Sequence, residues 1–495
     1  METKKLYIDG EWIETGSTFT VVDPGNGQPL AKVASAGRTE ARRAVEAAAA
    51  AFPGWRRHTG MARGDCLLRV AAALDRRMEE IAETITRENG KPLPQARGEV
   101  RVAVDHLRWF AEEARRGYGR VVPNQADGKR HLVLKQPVGV VALISPWNFP
   151  LVLSVRKAAP ALAAGCTAIL RPARQTPLCA VQLAECMEEA GIPRGVFQMI
   201  TGPAEPIVDE FMENPDVRKI SFTGSTEVGK KLIEDSAKTV TNLSMELGGH
   251  APVLIFEDAD LDLAVEGALV TKFRNTGQSC IASNRIYVER SIYEKFLEKF
   301  AARARELKVG YGLEEGVEVG PVVNEEGLKT ALSHIENAVA SGGRLLCGGK
   351  ALERPTGAAA ATDDGGTPSP ARRTTGYYLE PTVIADVPDD AACMREETFA
   401  PVAPVIAFDT EEEAIEKANN SRYGLAAYAY TSDLNRSWRL AERLEAGTIG
   451  INDAVPSTSN CPFGGVKESG MGRELGIEGI EAFLETKHVS YGGVE

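Results

Sequence analysis

The chain has 495 residues, of which 43% are hydrophobic and 25% charged, as is typical of a globular protein with roughly two or three domains. Its net charge of −12 argues against nucleic acid or an anionic membrane surface as a partner. The 8 cysteines form no CxxC pair, and neither a signal peptide nor a membrane-spanning apolar run is recognisable. These features predict a cytoplasmic protein without a disulfide framework.

The N-terminal region mixes short strands with long helices. β-Branched segments broken by turn signals over residues 7–34 predict strands and hairpins. Helix-forming residues predict helices over 39–51, with Thr39 as N-cap, over 61–89 and over 95–116.

Continuous apolar runs alternate with helical segments from residue 135 onwards. Apolar runs of this kind are typical of strands buried on both faces. The predicted elements are a strand over 135–145, a helix from Leu151 to Ala164 ended by Gly165, a strand over 166–172, a helix over 177–191, a strand over 196–202, and a further helix before a strand over 219–225. The alternation predicts βαβ units and a parallel sheet, which binds ligands at the carboxyl ends of its strands.

A second α/β region is predicted after the double glycine in the segment 246–262, and it extends to about residue 450. Within it, residues 351–376 are rich in Ala, Gly, Pro and Thr, which predicts a mobile surface loop. The final segment, FLETKHVSYGGVE, predicts a terminal strand.

Cys280 is the strongest candidate for a nucleophile. A single cysteine is most often a small core residue, and the patterns around the other cysteines favour that interpretation. Cys280 lies instead in FRNTGQSCIASNR, whose small and polar residues make a poor core segment. A backbone N–H there can stabilise an oxyanion, and Arg274 adds positive potential that would lower the pKa of the thiol.

Two more polar residues occur where strands are predicted to end. Asn148 in SPWNFP follows a buried strand, and its amide can donate to a developing oxyanion; a plain turn is the alternative. Glu246 in SMELGG precedes two glycines that leave room for a carboxylate to move as a general base; a solvated surface residue is the alternative.

The segment FTGSTEVGKK places Gly224 and Gly229 between a strand and a helix, as in a phosphate-binding turn. Its GxxxxG spacing differs from the GxGxxG of dinucleotide-binding turns, and no Walker Lys-Ser/Thr pair follows. The pattern alone therefore also fits an ordinary tight turn.

Together these segments resemble the aldehyde dehydrogenase superfamily. PWNFP, FTGSTEVG, ELGG, GQSC, EETFAPV and PFGGVKESGMGRE occur in that family's order, and the resemblance extends from about residue 6 to 492. It implies an α/β fold with a Rossmann-type parallel-sheet cofactor domain, an α/β catalytic domain and a small β oligomerisation element. It also implies NAD(P)-dependent oxidation of an aldehyde to a carboxylic acid, without a metal.

The resemblance also assigns roles to residues. Cys280 matches the nucleophile that forms a thiohemiacetal and, after hydride transfer, a thioacyl-enzyme. Asn148 and the Cys280 backbone N–H match the oxyanion hole, and Glu246 matches the base that activates water. The residues that match cofactor contacts are Trp147, Asn148, Gly224, Ser225, Leu247, Glu397, which would hold the nicotinamide ribose, and Phe399.

One departure from the family concerns the adenosine end of the cofactor. Members commonly read K-P-A-E or K-P-A-S after the second Rossmann strand, and this chain has Arg171-Pro172-Ala173-Arg174. A Glu at 174 would bind the ribose hydroxyl and repel a 2′-phosphate, whereas two guanidiniums suit a phosphate. The hypothesis is a preference for NADP⁺, or tolerance of it beside NAD⁺; the alternative is that both arginines point to solvent.

Within the superfamily, the chain most resembles succinate semialdehyde dehydrogenase, through ENGKPL, RWFAEEARR, KFRNTGQSC, GLAAYAY and CPFGGVKESG. Arg156, Arg274 and Ser457 match that subfamily's contacts to the distal carboxylate of the substrate, which paired arginines can bind bidentately. Glutarate semialdehyde or another ω-carboxy aldehyde would satisfy the same contacts. A broad-specificity aldehyde dehydrogenase, with these arginines in surface salt bridges, is the further alternative.

The resemblance also implies domain bounds and a homodimer or homotetramer. The bounds expected are 1–119 and 138–247, with about 450–475, for the NAD(P)-binding domain, 248–449 for the catalytic domain, and 120–137 with 476–495 for the oligomerisation element. Two other classes are considered: a CoA-acylating transferase, which Glu246 disfavours, and a non-catalytic structural member, which intact Cys280, Glu246 and Asn148 disfavour.

Overall fold

The structure is a computed structural model that describes residues 3–352 and 376–494. It has an α/β fold, as predicted, with an eight-stranded sheet, a seven-stranded sheet and three smaller sheets. Most of the loop predicted over 351–376 lies outside the described residues, which resume at Gly376.

The N-terminal region contains the predicted short strands and four helices. They are β1 Thr3–Lys4, β2 Leu6–Ile8, β3 Glu11–Ile13, β4 Thr18–Val22, β5 Pro29–Ala34, α1 Arg38–Trp55, α2 Gly60–Arg76, α3 Met78–Asn89 and α4 Leu93–Glu113.

Two predictions in this region are wrong in detail. Thr39 is not the N-cap of α1: Gly37 precedes the helix, and its N–H donates to Glu40 Oε2 at 2.7 Å, so that a glutamate side chain caps the first turn. The single helix predicted over 61–89 is two helices, because Arg77 leaves the helical conformation (φ −98°, ψ 16°) and its guanidinium binds Glu80.

The middle of the chain forms the predicted alternation of strands and helices. Its elements are β6 Arg120–Val122, β7 Lys129–Pro137, β8 Val140–Ile144, α5 Pro150–Ala164, β9 Thr167–Arg171, α6 Leu178–Glu189, β10 Phe197–Met199, α7 Ala204–Glu213, β11 Val217–Thr223, α8 Thr226–Ser236 and β12 Asn242–Glu246. The strands β12, β11, β8, β9 and β10 are adjacent and parallel in the eight-stranded sheet, which confirms the predicted parallel sheet.

The strand predicted over 135–145 is divided between two sheets. β7 ends at Pro137, and β8 begins at Val140 after Gly139, whose φ of +134° a residue with a side chain rarely adopts. A Cβ at Gly139 would also lie 2.7 Å from the Arg218 side chain. The apolar run is continuous in sequence, but the backbone turns within it.

The rest of the chain forms the second large sheet and then returns to the first. The elements are β13 Ala251–Ile255, α9 Leu261–Phe273, β14 Ser283–Glu289, α10 Tyr293–Glu306, α11 Glu325–Ala340, β15 Arg344–Cys347, β16 Ala351–Leu352, β17 Tyr378–Leu379, β18 Thr382–Ala385, β19 Val402–Phe408, α12 Glu411–Asn419, β20 Ala426–Tyr430, α13 Leu434–Arg443, β21 Thr448–Ile451, β22 Gly470–Met471, α14 Gly476–Glu481 and β23 Leu484–Gly492. The second sheet has the order β15-β18-β19-β14-β13-β20-β21, while β22 pairs with β12 in the first.

The predicted terminal strand is present as β23, which pairs antiparallel with β7 along its whole length. β6 pairs with the other edge of β7, so that these three strands form a separate sheet. No helix in the described ranges is long and apolar enough to cross a membrane.

Candidate active site

A cleft lies where the carboxyl ends of β8, β11 and β12 face the loops of the second sheet. It encloses about 610 Å³ of space, part of it open to solvent. Its lining consists of Pro146, Trp147, Asn148, Thr223, Gly224, Ser225, Leu247, Gly248, Cys280, Glu397 and Phe399. The structure therefore brings together eight residues predicted from the sequence. Glu246, Arg156, Arg274, Ser457, Arg171 and Arg174 do not line this cleft.

The backbone just before Cys280 has an unusual conformation. Asn275 (φ +52°), Thr276 (φ +60°) and Gly277 (φ +73°) are three successive residues in the left-handed region. A β-branched residue such as Thr276 is strained there, and such strain persists only where the surroundings impose it. A Cβ at Gly277 would lie 2.3 Å from the carbonyl oxygen of Ala400, so no other residue fits that position.

Hydrogen bonds from distant segments hold this turn in place. The Asn275 N–H donates to Gln95 Oε1 at 2.8 Å, the Gly320 N–H donates to Thr276 Oγ1 at 3.1 Å, and the Val323 N–H donates to Gln278 Oε1 at 2.8 Å. The position of Cys280 is thus fixed by several elements at once.

The Cys280 thiol is partly exposed to the cleft. Burial, together with the carboxylates of Glu397 and Glu246, raises the pKa of Cys280 to about 12, and Arg156 opposes this shift. The predicted lowering of that pKa by Arg274 is therefore wrong, because burial outweighs the nearby cations. Within the described residues, no backbone oxygen accepts a hydrogen bond from the Cys280 N–H.

Asn148 follows β8, and its side chain is turned towards the Cys280 loop. Its Nδ2 donates to the Gln278 carbonyl at 3.1 Å. No second acceptor for this amide occurs in the described part of the chain, so one N–H of Nδ2 is available to a ligand. Asn148 Nδ2 and the Cys280 N–H are thus two unused donors at one cleft.

Glu246 ends β12 and lies behind the cleft, where it is only 4% exposed. Burial and the carboxylate of Glu474 raise its pKa well above the ordinary range. The glycine next to its carboxylate is Gly464, at which a Cβ would lie 2.7 Å from Glu246 Oε1. The two glycines after Glu246 serve other contacts: a Cβ at Gly249 would lie 2.0 Å from the Cys280 carbonyl oxygen, and one at Gly248 would lie 3.0 Å from Glu397 Oε2.

An ion pair beside Glu246 was not predicted from the sequence. Lys157 Nζ lies 2.5 Å from Glu474 Oε1, and both side chains are buried. Glu474 belongs to PFGGVKESGMGRE, and Lys157 follows Arg156, but the two residues are 317 positions apart. Only the packing of α5 against the returning segment brings them together.

The cofactor side of the cleft is built on the amino end of α8. Ser225 is the N-cap of that helix, and its Oγ accepts a hydrogen bond from the Val228 N–H at 3.4 Å. The amino end of a helix favours an anion such as a pyrophosphate. Gly229, predicted as part of this turn, lies inside α8, where a Cβ would lie 2.4 Å from the side chain of Leu247.

Glu397 and two aromatic rings form the opposite wall of the cleft. Glu397 Oε1 accepts a hydrogen bond from the Gly249 N–H at 3.2 Å, and burial raises the pKa of this carboxyl to about 8. Phe399 (φ +50°) meets Trp147 edge to face, with ring centroids 5.4 Å apart. A carboxylate and a ring wall are suited to hold a ribose and a nicotinamide.

Arg171 and Arg174 lie at the carboxyl end of β9. Arg171 is buried and donates to the Gly202 carbonyl at 3.0 Å, and burial together with Arg174 lowers its pKa to about 10. Arg174 is exposed, with its guanidinium carbon 4.8 Å from the centroid of the Phe19 ring. Within the described ranges neither guanidinium forms an ion pair with a carboxylate.

Arg156 and Arg274 also lack strong partners. Arg156, buried on α5, has its guanidinium carbon 4.6 Å from the centroid of the Phe463 ring, and its Nε makes no hydrogen bond although Glu474 lies 3.9 Å away. Arg274 is half-buried, with its guanidinium carbon 5.6 Å from the Phe149 ring centroid. Its backbone N–H donates to the Val270 carbonyl, but its guanidinium has no hydrogen bond or ion pair in the described part of the chain. A guanidinium that is buried or half-buried and has no hydrogen-bonded partner favours binding of an anion.

Ser457 is half-buried on the loop between β21 and β22. Its neighbour Ser459 anchors this loop to α4, because the Ser459 hydroxyl donates to Asp105 and lies 2.8 Å from His106 Nδ1. No sequence pattern indicates these contacts between segments more than 350 positions apart.

Comparisons with known proteins agree with this geometry. The model of the aldehyde dehydrogenase family matches residues 12–489. The chain is 45% identical over 488 residues to a glutarate-semialdehyde dehydrogenase of Pseudomonas putida, covering 98% of this chain and 97% of the relative. It is 46% identical to a 3-sulfolactaldehyde dehydrogenase of Pseudomonas putida and 44% identical to the NADP(+) succinate-semialdehyde dehydrogenase of Escherichia coli, each comparison covering 99% of this chain and 98% of the relative.

Solved structures share the fold. A betaine aldehyde dehydrogenase from Staphylococcus aureus, in complex with NAD+, superposes with a TM-score of 0.93 at 36% identity, covering 99% of this chain and 95% of that chain. The chain belongs to the aldehyde dehydrogenase family. It is accordingly an oxidoreductase that oxidises an aldehyde with NAD(P).

Proposed function

We propose that the preferred substrate is a short aldehyde with an anionic group at its far end, with succinate semialdehyde as the reference compound. The observation that carries this proposal is the state of Arg156 and Arg274, two guanidiniums without a hydrogen-bonded carboxylate in the described residues. The charge of Arg156 acts on the Cys280 thiol, because it opposes the upward shift of the Cys280 pKa. In a chain with a net charge of −12, such a site offers local attraction to an anion.

The residues of the cleft, together with Glu246, support a mechanism through a thioester on Cys280. The Cys280 sulfur adds to the aldehyde carbon, and the thiol proton leaves to solvent or to a nearby carboxylate. The Asn148 amide and the Cys280 N–H donate to the resulting oxyanion. Bound NAD(P)⁺ supplies the hydride acceptor for oxidation of this adduct. Glu246 then takes a proton from water, which attacks the Cys280 thioester and releases the carboxylic acid and the thiol.

The cofactor site fits a nicotinamide dinucleotide. Gly224 and Ser225 at the amino end of α8 are suited to the pyrophosphate, Glu397 to a ribose, and Trp147, Leu247 and Phe399 to the rings beside it. For the adenosine end, we propose that Arg171 and Arg174 bind the 2′-phosphate of NADP⁺, because no carboxylate in the described residues pairs with either of them.

The raised pKa of Glu246 supports hydrolysis of the thioester rather than transfer to coenzyme A. A general base works best with a pKa near the operating pH, and burial beside Glu474 shifts Glu246 in that direction. The released product is expected to be the free acid; formation of acyl-CoA would contradict this part of the proposal.

The domain bounds and the oligomerisation element are also proposed, with the arrangement of the sheets as support. The sheet that contains β12 and β22 supports an NAD(P)-binding domain over 1–119 and 138–247 with about 450–475, and the sheet from β13 to β21 supports a catalytic domain over 248–449. The sheet of β6, β7 and β23 would join subunits of a homodimer or homotetramer, and a cytoplasmic location stays a prediction.

A panel of substrates tests the proposal. Succinate semialdehyde and glutarate semialdehyde are compared with butanal and pentanal, each with NAD⁺ and with NADP⁺, and kcat/KM is measured. The aldehydes with a carboxylate are expected to exceed the uncharged ones by about tenfold or more, as charge-assisted hydrogen bonds predict. Equal values would overturn the substrate proposal. A kcat/KM with NAD⁺ that exceeds that with NADP⁺ by about tenfold (1.4 kcal/mol) would overturn the cofactor preference.

A further inference from the structure

Lys91 is a buried lysine that the steps above do not use. Its ammonium lies 2.6 Å from Glu99 Oε2 and 2.8 Å from the backbone oxygen of Asn148. We propose that Lys91 is a positioning residue, which fixes the peptide group of Asn148 so that the Asn148 amide faces the reacting oxygen. This inference rests on the role proposed above for Asn148.

Three donors converge on the Asn148 carbonyl oxygen. Lys91 Nζ and Asn275 Nδ2 each lie 2.8 Å from it, and Asn89 Nδ2 lies 3.5 Å away. A carbonyl oxygen has two lone pairs, so the two short bonds saturate it and fix its direction. Because Asn275 belongs to the strained turn before Cys280, the same oxygen also links the oxyanion donor to the loop of the nucleophile.

Glu99 completes the arrangement from the other side. Its Oε2 accepts a hydrogen bond from Lys91 Nζ. Its Oε1 accepts hydrogen bonds from the N–H groups of Leu151 (3.0 Å) and Val152 (3.2 Å) in the first turn of α5. A buried ion pair is tolerated when its remaining hydrogen-bonding capacity is satisfied. One ion pair therefore holds the chain both at Asn148 and just after it.

The turn after α3 brings Lys91 to this position. Gly90 ends the helix with a φ of +95°, and a Cβ there would lie 2.6 Å from the Pro321 side chain. The next residue, Lys91, points into the interior, and its ammonium also lies 3.9 Å from the centroid of the Phe149 ring. The segment ENGKPL thus supports the active site although none of its residues lines the cleft.

The expected decrease in kcat on removing Lys91 can be estimated from the decrease that follows loss of an oxyanion donor. Removal of such a donor lowers kcat by about 10²–10³-fold. Misplacing the same donor, with the donor still present, is expected to lower kcat by about 10–100-fold, because catalytic groups must be held within about 0.5 Å of their productive positions.

The test is the double variant Lys91→Met with Glu99→Gln. It removes the ammonium without leaving an unpaired buried carboxylate, and the introduced amide oxygen can still accept from Leu151 and Val152. We expect kcat to fall by about 10–100-fold while the KM for the cofactor and the melting temperature stay close to those of the parent. An unchanged kcat would overturn the proposal.

A double-mutant cycle shows whether Lys91 acts through Asn148. In the background of Asn148→Ala, the same two substitutions are expected to lower kcat little further, since the positioned amide is already absent. Losses that multiply across the cycle would overturn the positioning role. If Asn148→Ala itself leaves kcat unchanged, the oxyanion role in the proposed function fails instead.

Glu88 supplies the matched control. It is buried in the same segment, but its carboxylate accepts from the Leu178 and Cys179 N–H groups at the start of α6 and does not contact Asn148. Glu88→Gln is expected to leave kcat unchanged. A fall in kcat equal to that of the double variant would overturn the proposal, because disturbing this buried segment anywhere would then suffice.

A second variant keeps the proposal testable if the double variant does not fold. Asn275→Gly removes the other short donor to the Asn148 carbonyl, and glycine accepts the left-handed φ at this position. The same fall in kcat, and the same lack of further loss in the Asn148→Ala background, are expected. Independent, multiplying losses would overturn the account here too.

Discussion

The loop that carries Cys280 differs from three of the arginines, Arg156, Arg174 and Arg274, in how its polar groups are used. In the loop, Asn275, Thr276 and Gln278 each hydrogen-bond to residues elsewhere in the chain, which holds a strained backbone in one conformation. The guanidiniums of Arg156, Arg174 and Arg274 face aromatic rings and have no hydrogen-bonded carboxylate among the described residues.

This difference indicates that the loop serves catalysis and the arginines serve selection of the substrate and cofactor. Groups that are hydrogen-bonded to distant parts of the protein fix the geometry of the reacting atoms, which catalysis by a positioned nucleophile requires. Charged groups without a hydrogen-bonded partner gain from a ligand that supplies one, and they gain most where they are buried. The comparison therefore predicts that substitutions in the loop lower kcat for every aldehyde, whereas substitutions at the arginines change the preference among substrates and cofactors.

The largest effect is expected for Cys280→Ala. Without the sulfur no thioester forms, so NAD(P)H production, followed by absorbance, should fall by at least about 10⁴-fold with every aldehyde. Cys347→Ala is the control, because Cys347 is half-buried in β15 and does not line the cleft. Residual turnover near the parent level would contradict the assignment of the nucleophile.

The next effect separates the two halves of the reaction. In Glu246→Gln, formation of the thioester and transfer of the hydride stay possible, whereas hydrolysis of the thioester should slow by about 10²–10⁴-fold. Rapid-mixing measurements should therefore record a burst of about one NAD(P)H per site, followed by slow turnover. If the burst is lost together with turnover, Glu246 acts before the thioester forms and the proposed role is wrong.

The pH dependence of thiol reactivity tests the environment of Cys280. With a pKa of about 12 for the Cys280 thiol, the thiolate fraction is small at pH 7 and rises about tenfold per pH unit. Alkylation of Cys280 by iodoacetamide should thus keep accelerating between about pH 7 and 10, with Cys280→Ala as the blank for labelling of the exposed Cys461. A plateau below pH 9 would show that a cation has lowered the pKa after all.

The smallest effect is expected at the adenosine end. Arg174→Ala should lower kcat/KM for NADP⁺ by about tenfold, the cost of one exposed charge-assisted contact, and leave the value for NAD⁺ unchanged. Steady-state kinetics with both cofactors measure this. Equal losses with both would mean that Arg174 does not contact the 2′-phosphate.

Much of this arrangement could be predicted from the sequence, because its signals are local. The alternation of apolar runs with helices predicts the parallel strands β8 to β12, and the polar residues at or near the carboxyl ends of β8 and β12 include Asn148 and Glu246. The cleft residues lie within short motifs whose order is recognisable. The sequence alone is therefore sufficient to predict the catalytic roles proposed for these residues.

The remaining features depend on contacts between distant segments. Lys91 and Asn148 are 57 positions apart, and Lys157 and Glu474 are 317 apart, so no periodicity indicates that they meet. The pKa of Cys280 was predicted in the wrong direction, because burial, its main determinant, is a property of the packed structure. The division of 135–145 likewise depends on a backbone turn at Gly139 that hydrophobicity does not indicate.

The central claim is that the Arg274 guanidinium, which has no hydrogen-bonded carboxylate in the described residues, selects aldehydes with an anionic end. The most direct measurement compares Arg274→Ala with the parent on succinate semialdehyde and on butanal, under the same conditions and with one cofactor. We predict that KM for succinate semialdehyde rises by about 10–100-fold, the value of a charge-assisted hydrogen bond, while KM and kcat for butanal change little. Equal changes for the two aldehydes would contradict the claim.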